Sequence, residues 1–225
     1  MTPDSANRAA TRVLLVDDHP LIRDGLRRLI RRQDDMEVCG EASSPHEALR
    51  VAADAEPDVA VVDLALGEES GLELIKDLHH RHPDLLILVL SMHEESVYAE
   101  RVLRAGARGY VMKGAELQTV MDALRHVLSG EVYLSDRMTL QLMRRVAGAG
   151  QGGEESPVHG LSDRELEVFE MIGQGMGPTA IADRLHLSVK TIETYRDNIK
   201  VKLNLPDALA LRRSAIQWAH QEGRQ

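Results

Sequence analysis

A single cysteine, Cys39, occurs in the 225 residues. One cysteine excludes an intrachain disulfide and a cysteine-rich zinc site. No long hydrophobic run is present either. The longest clean aliphatic stretch, LLILVL at 85–90, is far too short for a bilayer, which needs about 20 apolar residues. The N-terminal stretch MTPDSANRAATR lacks the apolar core of a signal peptide. Positive charge is scarce as well. The 27 Lys and Arg stand against 36 Asp and Glu, a net charge of −9, which argues against a protein that coats nucleic acid indiscriminately. A basic patch is still allowed, because charge segregates by domain. These absences predict a soluble, cytoplasmic protein of a reducing compartment with no membrane partner.

What the chain does have is enough apolar residue, 43%, and enough length for one large domain or two small ones. Over the first half, β-rich runs alternate with amphipathic stretches. The predicted strands are 12–16, 36–42, 58–63, 85–91 and 109–112, and their apolar character suits strands covered on both faces. Helices are predicted at 20–32, 44–55, 71–82, 96–105 and 114–129. The pattern is an α/β (βα)5 unit, a doubly wound parallel sheet. A further helix is predicted over 136–146. The stretch AGAGQGGEESP (147–157) has nothing to bury and reads as a linker. Strand signals then vanish. Ser162 with Glu165 forms a capping-box pattern, and a small all-α domain follows. Helices are expected at 178–185 and 188–203, then a last one with Pro206 near its start. The expected organisation is a disordered N-terminus (1–11), a domain over 12–130, a linker helix and Gly-rich linker (131–157), and a second domain over 158–225.

The segment VLLVDDHPLIRDGL (13–26) runs a buried strand into adjacent carboxylates, Asp17 and Asp18. In a parallel sheet, ligands bind beyond the carboxyl ends of the strands. Asp63 ends the third predicted strand, Ser91 the fourth, and Lys113 follows the fifth. A lone Asp after a strand is usually a helix N-cap, which explains Asp18 or Asp63 singly but not all five together. Three close carboxylates need a hard cation, and Mg2+ fits because it takes oxygen ligands and shares them with phosphate. Carboxylate, metal, lysine and hydroxyl together describe phosphoryl transfer onto an aspartate.

On the segments LLVDDHPLIRDGL, VVDLALGEESGLELI, VLSMHEE and AGARGYVMKGA, residues 12–130 resemble the receiver domain of two-component response regulators. The resemblance implies that Asp63 is the phosphoacceptor and that a sensor histidine kinase is the donor. It implies Mg2+ held by Asp18, Asp63 and the backbone carbonyl of Ala65, with Asp17 acting through water. Ser91 and Lys113 are expected on the phosphoryl oxygens, and Tyr110 to swing inward when Ser91 moves. Leu66 and Gly67 stand where the family usually has Met-Pro, which predicts a looser loop there. Residues 161–218 resemble the LuxR-type helix-turn-helix of the NarL/FixJ branch.

That second resemblance makes 178–185 the brace and 188–203 the reader, with Ile192, Ile199 and Leu203 packed inward. Over 184–213 seven basic residues face three acids, +4 in a chain of −9. The expected contacts to double-stranded promoter DNA are Lys190, Glu193, Thr194, Arg196, Asp197, Lys200 and Lys202. Glu193, Thr194 and Asp197 are expected at base edges, and Arg196, Lys200 and Lys202 at phosphates. The implied function is a transcription regulator, a homodimer when active, with no enzymatic activity beyond its own phosphorylation and dephosphorylation. Two other readings compete. One is a Mg2+-dependent phosphohydrolase, against which Ala65 stands where a second acid belongs. The other is a DNA-binding regulator that needs no phosphate. His79, His80 and His82 precede Pro83 at a helix end, where histidines commonly meet exposed carbonyls rather than a metal.

Overall fold

The computed structural model describes residues 10–67, 69–147 and 157–222. The chain divides into two compact units, Met1–Gly150 and Gln151–Gln225.

The first unit is built on β1 (Thr11–Val16), β2 (Met36–Ala42), β3 (Val59–Val62), β6 (Leu86–Ser91) and β7 (Gly109–Met112). They form one parallel sheet in the order β2-β1-β3-β6-β7. The α/β class with parallel strands is the one expected, and the cause is visible in the burial. Val13 to Val16, Val59 to Val62 and Ile87 to Leu90 are all nearly inaccessible, because helices cover both faces. The helices are α1 (Pro20–Ile30), α2 (Pro45–Ala55), α3 (Gly71–Arg81), α4 (Glu95–Ala105), α5 (Leu117–Leu128) and α6 (Asp136–Val146). Ser44 and Ser70 cap α2 and α3 by accepting from the backbone N–H groups of Glu47 and Glu73.

Three local features differ from the expectation. Thr11, predicted disordered, opens β1 and donates its N–H to the Asp35 carbonyl at 2.9 Å; residues 1–9 lie outside the described residues. The loop after β3 carries an element the sequence does not predict. Its ends pair as a small antiparallel hairpin, β4 (Ala65–Leu66) with β5 (Glu69–Ser70), and Gly67 holds a left-handed φ of 64°. The chain after α5 returns to the open edge of β7. There the Tyr133 N–H donates to the Arg108 carbonyl, and the Tyr133 carbonyl accepts from the Tyr110 N–H, both at 2.9 Å. Glu95, in the first turn of α4, then accepts from both the backbone N–H and the hydroxyl of Ser135, which in turn caps α6. The expected linker helix is therefore bound to the first unit, and Met138 within it is 2% exposed. Of the Gly-rich linker, 148–156 lie outside the described residues.

The second unit contains a 3-10 turn (Pro157–Gly160), α7 (Asp163–Gly173), α8 (Pro178–Arg184), α9 (Val189–Lys202) and α10 (Ala208–Glu222). The capping box is present: Ser162 and Glu165 exchange hydrogen bonds in both directions. Phe169 and Trp218 pack with ring centroids 5.8 Å apart, joining α7 to α10. Ile181, Ile192, Ile199, Leu211 and Ala215 complete the core. Pro206 falls outside α10. Asp207 caps that helix instead, its Oδ1 accepting from the Ala210 N–H at 2.7 Å.

Candidate functional site

The first unit brings its predicted polar residues together by register. Val16 and Val62 are paired neighbours on β1 and β3, so the next residues, Asp17 and Asp63, emerge side by side. The Asp63 N–H donates to the Val16 carbonyl at 2.9 Å, and the Lys113 N–H to the Ser91 carbonyl at 2.8 Å. Both acids are 3% exposed, and Ser91 is fully buried.

Lys113 lies between the acids. Its Nζ is 2.6 Å from Asp63 Oδ2 and 2.7 Å from Asp17 Oδ2. Burial pushes the Lys113 ammonium down, but its hydrogen bonds to Asp17 and Asp63 outweigh that and hold it above the ordinary lysine range. Asp17 Oδ1 accepts from the His19 N–H at 2.8 Å, and Asp18 Oδ2 from the Gly67 N–H at 3.0 Å. Asp63 Oδ1 is buried with no hydrogen-bond partner. The His19 imidazole contacts the same acids, its Nδ1 lying 2.6 Å from Asp18 Oδ1. Among the described residues, Asp17, Asp18, His19 and Asp63 form the group able to hold a metal, with ligand atoms within 4.8 Å of one another. Three carboxylates against one ammonium leave a local charge of about −2, which suits a divalent oxygen-seeking cation.

The sequence reading names Gly67 only for the loop after β3 and gives His19 no role. The signal for His19 was its place in DDHP directly after the two acids. Ala65 opens β4, opposite Ser70, two residues beyond Asp63. Ser91 Oγ accepts from the His93 N–H at 3.4 Å. Tyr110 is already turned inward: it is 1% exposed and donates its hydroxyl to the His93 carbonyl at 2.7 Å. The histidines at the end of α3 do not form a metal group among the described residues, and the His79 ring packs against Gly106, which has φ 113°.

In the second unit α9 buries Ile192 and Ile199 completely and Leu203 by half. Ser188 caps it, accepting from the Thr191 N–H at 3.1 Å. Lys190, Glu193, Thr194 and Asp197 are exposed on the outer side, with Val201 81% exposed in line with them. Each of the three cations expected at phosphates has an acid partner. Arg196 Nη1 donates to Glu193 Oε1 at 2.7 Å, and Lys200 Nζ lies 2.9 Å from Asp197 Oδ1. Lys202 Nζ lies 2.6 Å from Glu165 Oε2, an acid only 5% exposed. Lys202 thus ties α9 to the first turn of α7, with its side chain still 40% exposed.

The chain matches two family models, the response regulator receiver domain over residues 13–125 and the bacterial regulatory proteins of the luxR family over 159–215. It is 37% identical over 198 residues to the oxygen regulatory protein NreC of Staphylococcus carnosus, covering 86% of this chain and 91% of that protein. It is 36% identical over 206 residues to the response regulator GacA of Pseudomonas protegens, covering 92% and 95%. Among solved structures, it is similar to RcsB from Salmonella enterica serovar Typhimurium bound to promoter rprA in the presence of a phosphomimetic. That match has a TM-score of 0.69 and 25% identity, covering 91% of this chain and 98% of that one. No helix among the described residues is long and apolar enough to cross a membrane. With a receiver model over one unit and a luxR-family model over the other, the chain belongs to the NarL/FixJ family of response regulators.

Proposed function

We propose that this chain is a transcription regulator switched by phosphorylation of Asp63. The observation that carries the reading is Asp63 Oδ1, a buried carboxylate oxygen with no hydrogen-bond partner, on a residue whose other oxygen is held by Lys113. That arrangement leaves one oxygen free to attack while fixing the carboxylate's position. The Asp63 oxygen forms a bond to phosphorus as the bond from phosphorus to the donor imidazole nitrogen of a sensor histidine kinase breaks. The imidazole then takes a proton from solvent. Lys113 and the Ser91 hydroxyl are the donors for the phosphoryl oxygens. Asp18, Asp63 and the Ala65 carbonyl would hold Mg2+, with Asp17 acting through water. When bound, Mg2+ offsets the negative charge gathered on the phosphoryl oxygens.

Ser91 Oγ now accepts from the His93 N–H, so recruiting its hydroxyl to a phosphoryl group perturbs the β6–α4 loop. Tyr110 is bonded to the same residue, His93, and that couples β7 to the change. The consequence is dimerisation and sequence-specific binding of double-stranded promoter DNA by α9. Asp63 is an acceptor modified once per activation, so the chain is not an enzyme acting on an outside substrate.

The test is incubation with Mg2+ and a small phosphodonor, followed by intact-mass measurement. One phosphoryl group is expected on the unaltered chain and none on Asp63→Asn, with promoter binding enhanced only in the former. A full mass shift in Asp63→Asn sinks the assignment.

A further inference from the structure

We propose that Arg196 and Lys200 are positioning residues that aim two base-reading carboxylates, Glu193 and Asp197, and that neither serves as a phosphate contact. The proposal rests on the reading of α9 as the DNA reader. The same arrangement occurs twice along the helix. Glu193 is paired with Arg196 at 2.7 Å, and Asp197 with Lys200 at 2.9 Å, each acid three residues before its cation. In both pairs the acid stands forward and the cation is withdrawn. The side chain of Glu193 is 48% exposed against 19% for Arg196, and that of Asp197 is 70% exposed against 28% for Lys200.

Arg196 is also seated. It lines a cavity of about 140 Å3 between the start of α8 and the start of α10, with Ile172, Ile181, Ala208 and Arg212. Its Nε is buried and has no hydrogen-bond partner. Reaching a phosphate would require the guanidinium to leave that seat and release Glu193. Keeping the seat leaves the carboxylate with one oxygen held and the other, Oε2, pointing from an exposed position.

A half-held carboxylate has a narrow set of partners in the major groove. It accepts only from amino groups, which are cytosine N4 and adenine N6. A bare carboxylate would be repelled by the phosphate backbone, but an acid already paired approaches as a near-neutral unit. The chemical class read at these two positions is therefore an exocyclic base amine. The cations contribute by fixing the carboxylates, and no counterions are released on their account.

The two roles separate by salt dependence. A phosphate-binding cation changes the slope of log K against log salt by about one when removed, and leaves base preference alone. A positioning cation does the reverse. The experiment is selection of the phosphodonor-treated, full-length chain on a randomised duplex library, followed by affinities of chosen sites at several salt concentrations. The variants are Arg196→Met and Lys200→Met, which keep the aliphatic stem, and Arg196→Lys. Each methionine variant is expected to lose base preference at one half-site position by roughly tenfold, with the slope unchanged. Arg196→Lys should recover part of the preference, which a purely structural role does not predict. Glu193→Gln should lose preference at the same position as Arg196→Met. A slope reduced by about one per protomer in either methionine variant, with preference intact, overturns the proposal. If Arg196→Met loses its helical circular dichroism, Lys200→Met decides alone, since Lys200 does not line the cavity that seats Arg196. Absence of any sequence selection by the unaltered chain is a different result: it removes the reader assignment itself.

Discussion

Residue 71 has no room for a methyl group. A Cβ on Gly71 would sit 2.6 Å from Leu64 Cα and closer still to the Asp63 carbonyl oxygen, so α3 begins in contact with the backbone of the proposed acceptor. Gly71→Ala should cost about 1–3 kcal/mol by overpacking. It should also slow phosphorylation from a small donor, because the strain falls on Asp63. A variant that melts at the unaltered temperature and phosphorylates at the unaltered rate would show the contact to be slack. Lys113 makes a second case. It is the cation in hydrogen-bonding range of both buried acids, and Lys113→Met leaves Asp17 and Asp63 without it. Destabilisation of about 3–5 kcal/mol is expected without divalent ions. The melting temperature of that variant should climb more steeply with Mg2+ than that of the unaltered chain, and an equal climb would contradict the charge balance drawn here.

The same scale shows what the sequence made legible. Asp17, Asp63, Ser91 and Lys113 could be anticipated because strand ends in a parallel sheet converge, and the strands were marked by unbroken aliphatic runs. The placement of Arg196 and Lys202 depends on helical phase, which a count of charge does not use. Arg196 lies four residues after Ile192, and Lys202 three after Ile199, so both flank the buried stripe. Their phase was available in the spacing. Their acid partners were not equally so: Glu193 is local, but Glu165 is 37 positions away and meets Lys202 only through the packing of α7 on α9.

At the scale of elements, caps and apolar runs located the ends well, and short irregular pieces escaped. The β4–β5 hairpin has two residues per strand, too few for any periodicity, and Tyr133 joins the edge of β7 by a single bridge. Pro206 suggested a helix start, yet Asp207 supplies the cap and α10 begins after it. The Glu165–Lys202 pair carries a pH prediction for the second unit. Burial pushes the Glu165 carboxyl up, but hydrogen bonds from Lys202 and from the Ser162 backbone and hydroxyl prevail and hold it below the ordinary glutamate range. A folded-state value below the unfolded one means stability that is full above about pH 4.5 and is lost as pH falls through the folded value. The amount should be about 1–2 kcal/mol, since Lys202 is partly in water. Glu165→Gln should flatten the acid limb of unfolding monitored by Trp218 fluorescence, and an unchanged limb would assign the acid sensitivity to other carboxylates.

At the scale of the whole molecule, charge is divided unevenly along the chain. Residues 157–225 carry nine Lys and Arg against nine Asp and Glu, so their net charge is zero, and residues 1–156 carry the entire −9. Within the second unit the stretch 184–213 is net +4, so a DNA-facing patch sits in a neutral domain joined to an acidic one. A duplex approaching α9 meets local attraction and a longer-range repulsion from the first unit. The Debye length is about 10 Å at 0.1 M salt and about 30 Å at 0.01 M, so the repulsion should reach the duplex only at low ionic strength. The fragment 157–225 is therefore expected to bind random-sequence DNA several-fold more tightly than the unphosphorylated full chain at low salt, with the ratio approaching one as salt rises. Steric occlusion of α9 predicts instead a ratio that stays constant across the titration, because excluded volume is not screened. Fluorescence anisotropy of a labelled duplex with both proteins, from 20 to about 300 mM salt, separates the two. A ratio above one that stays constant would assign the difference to steric occlusion, and one that falls to one to the field of the receiver.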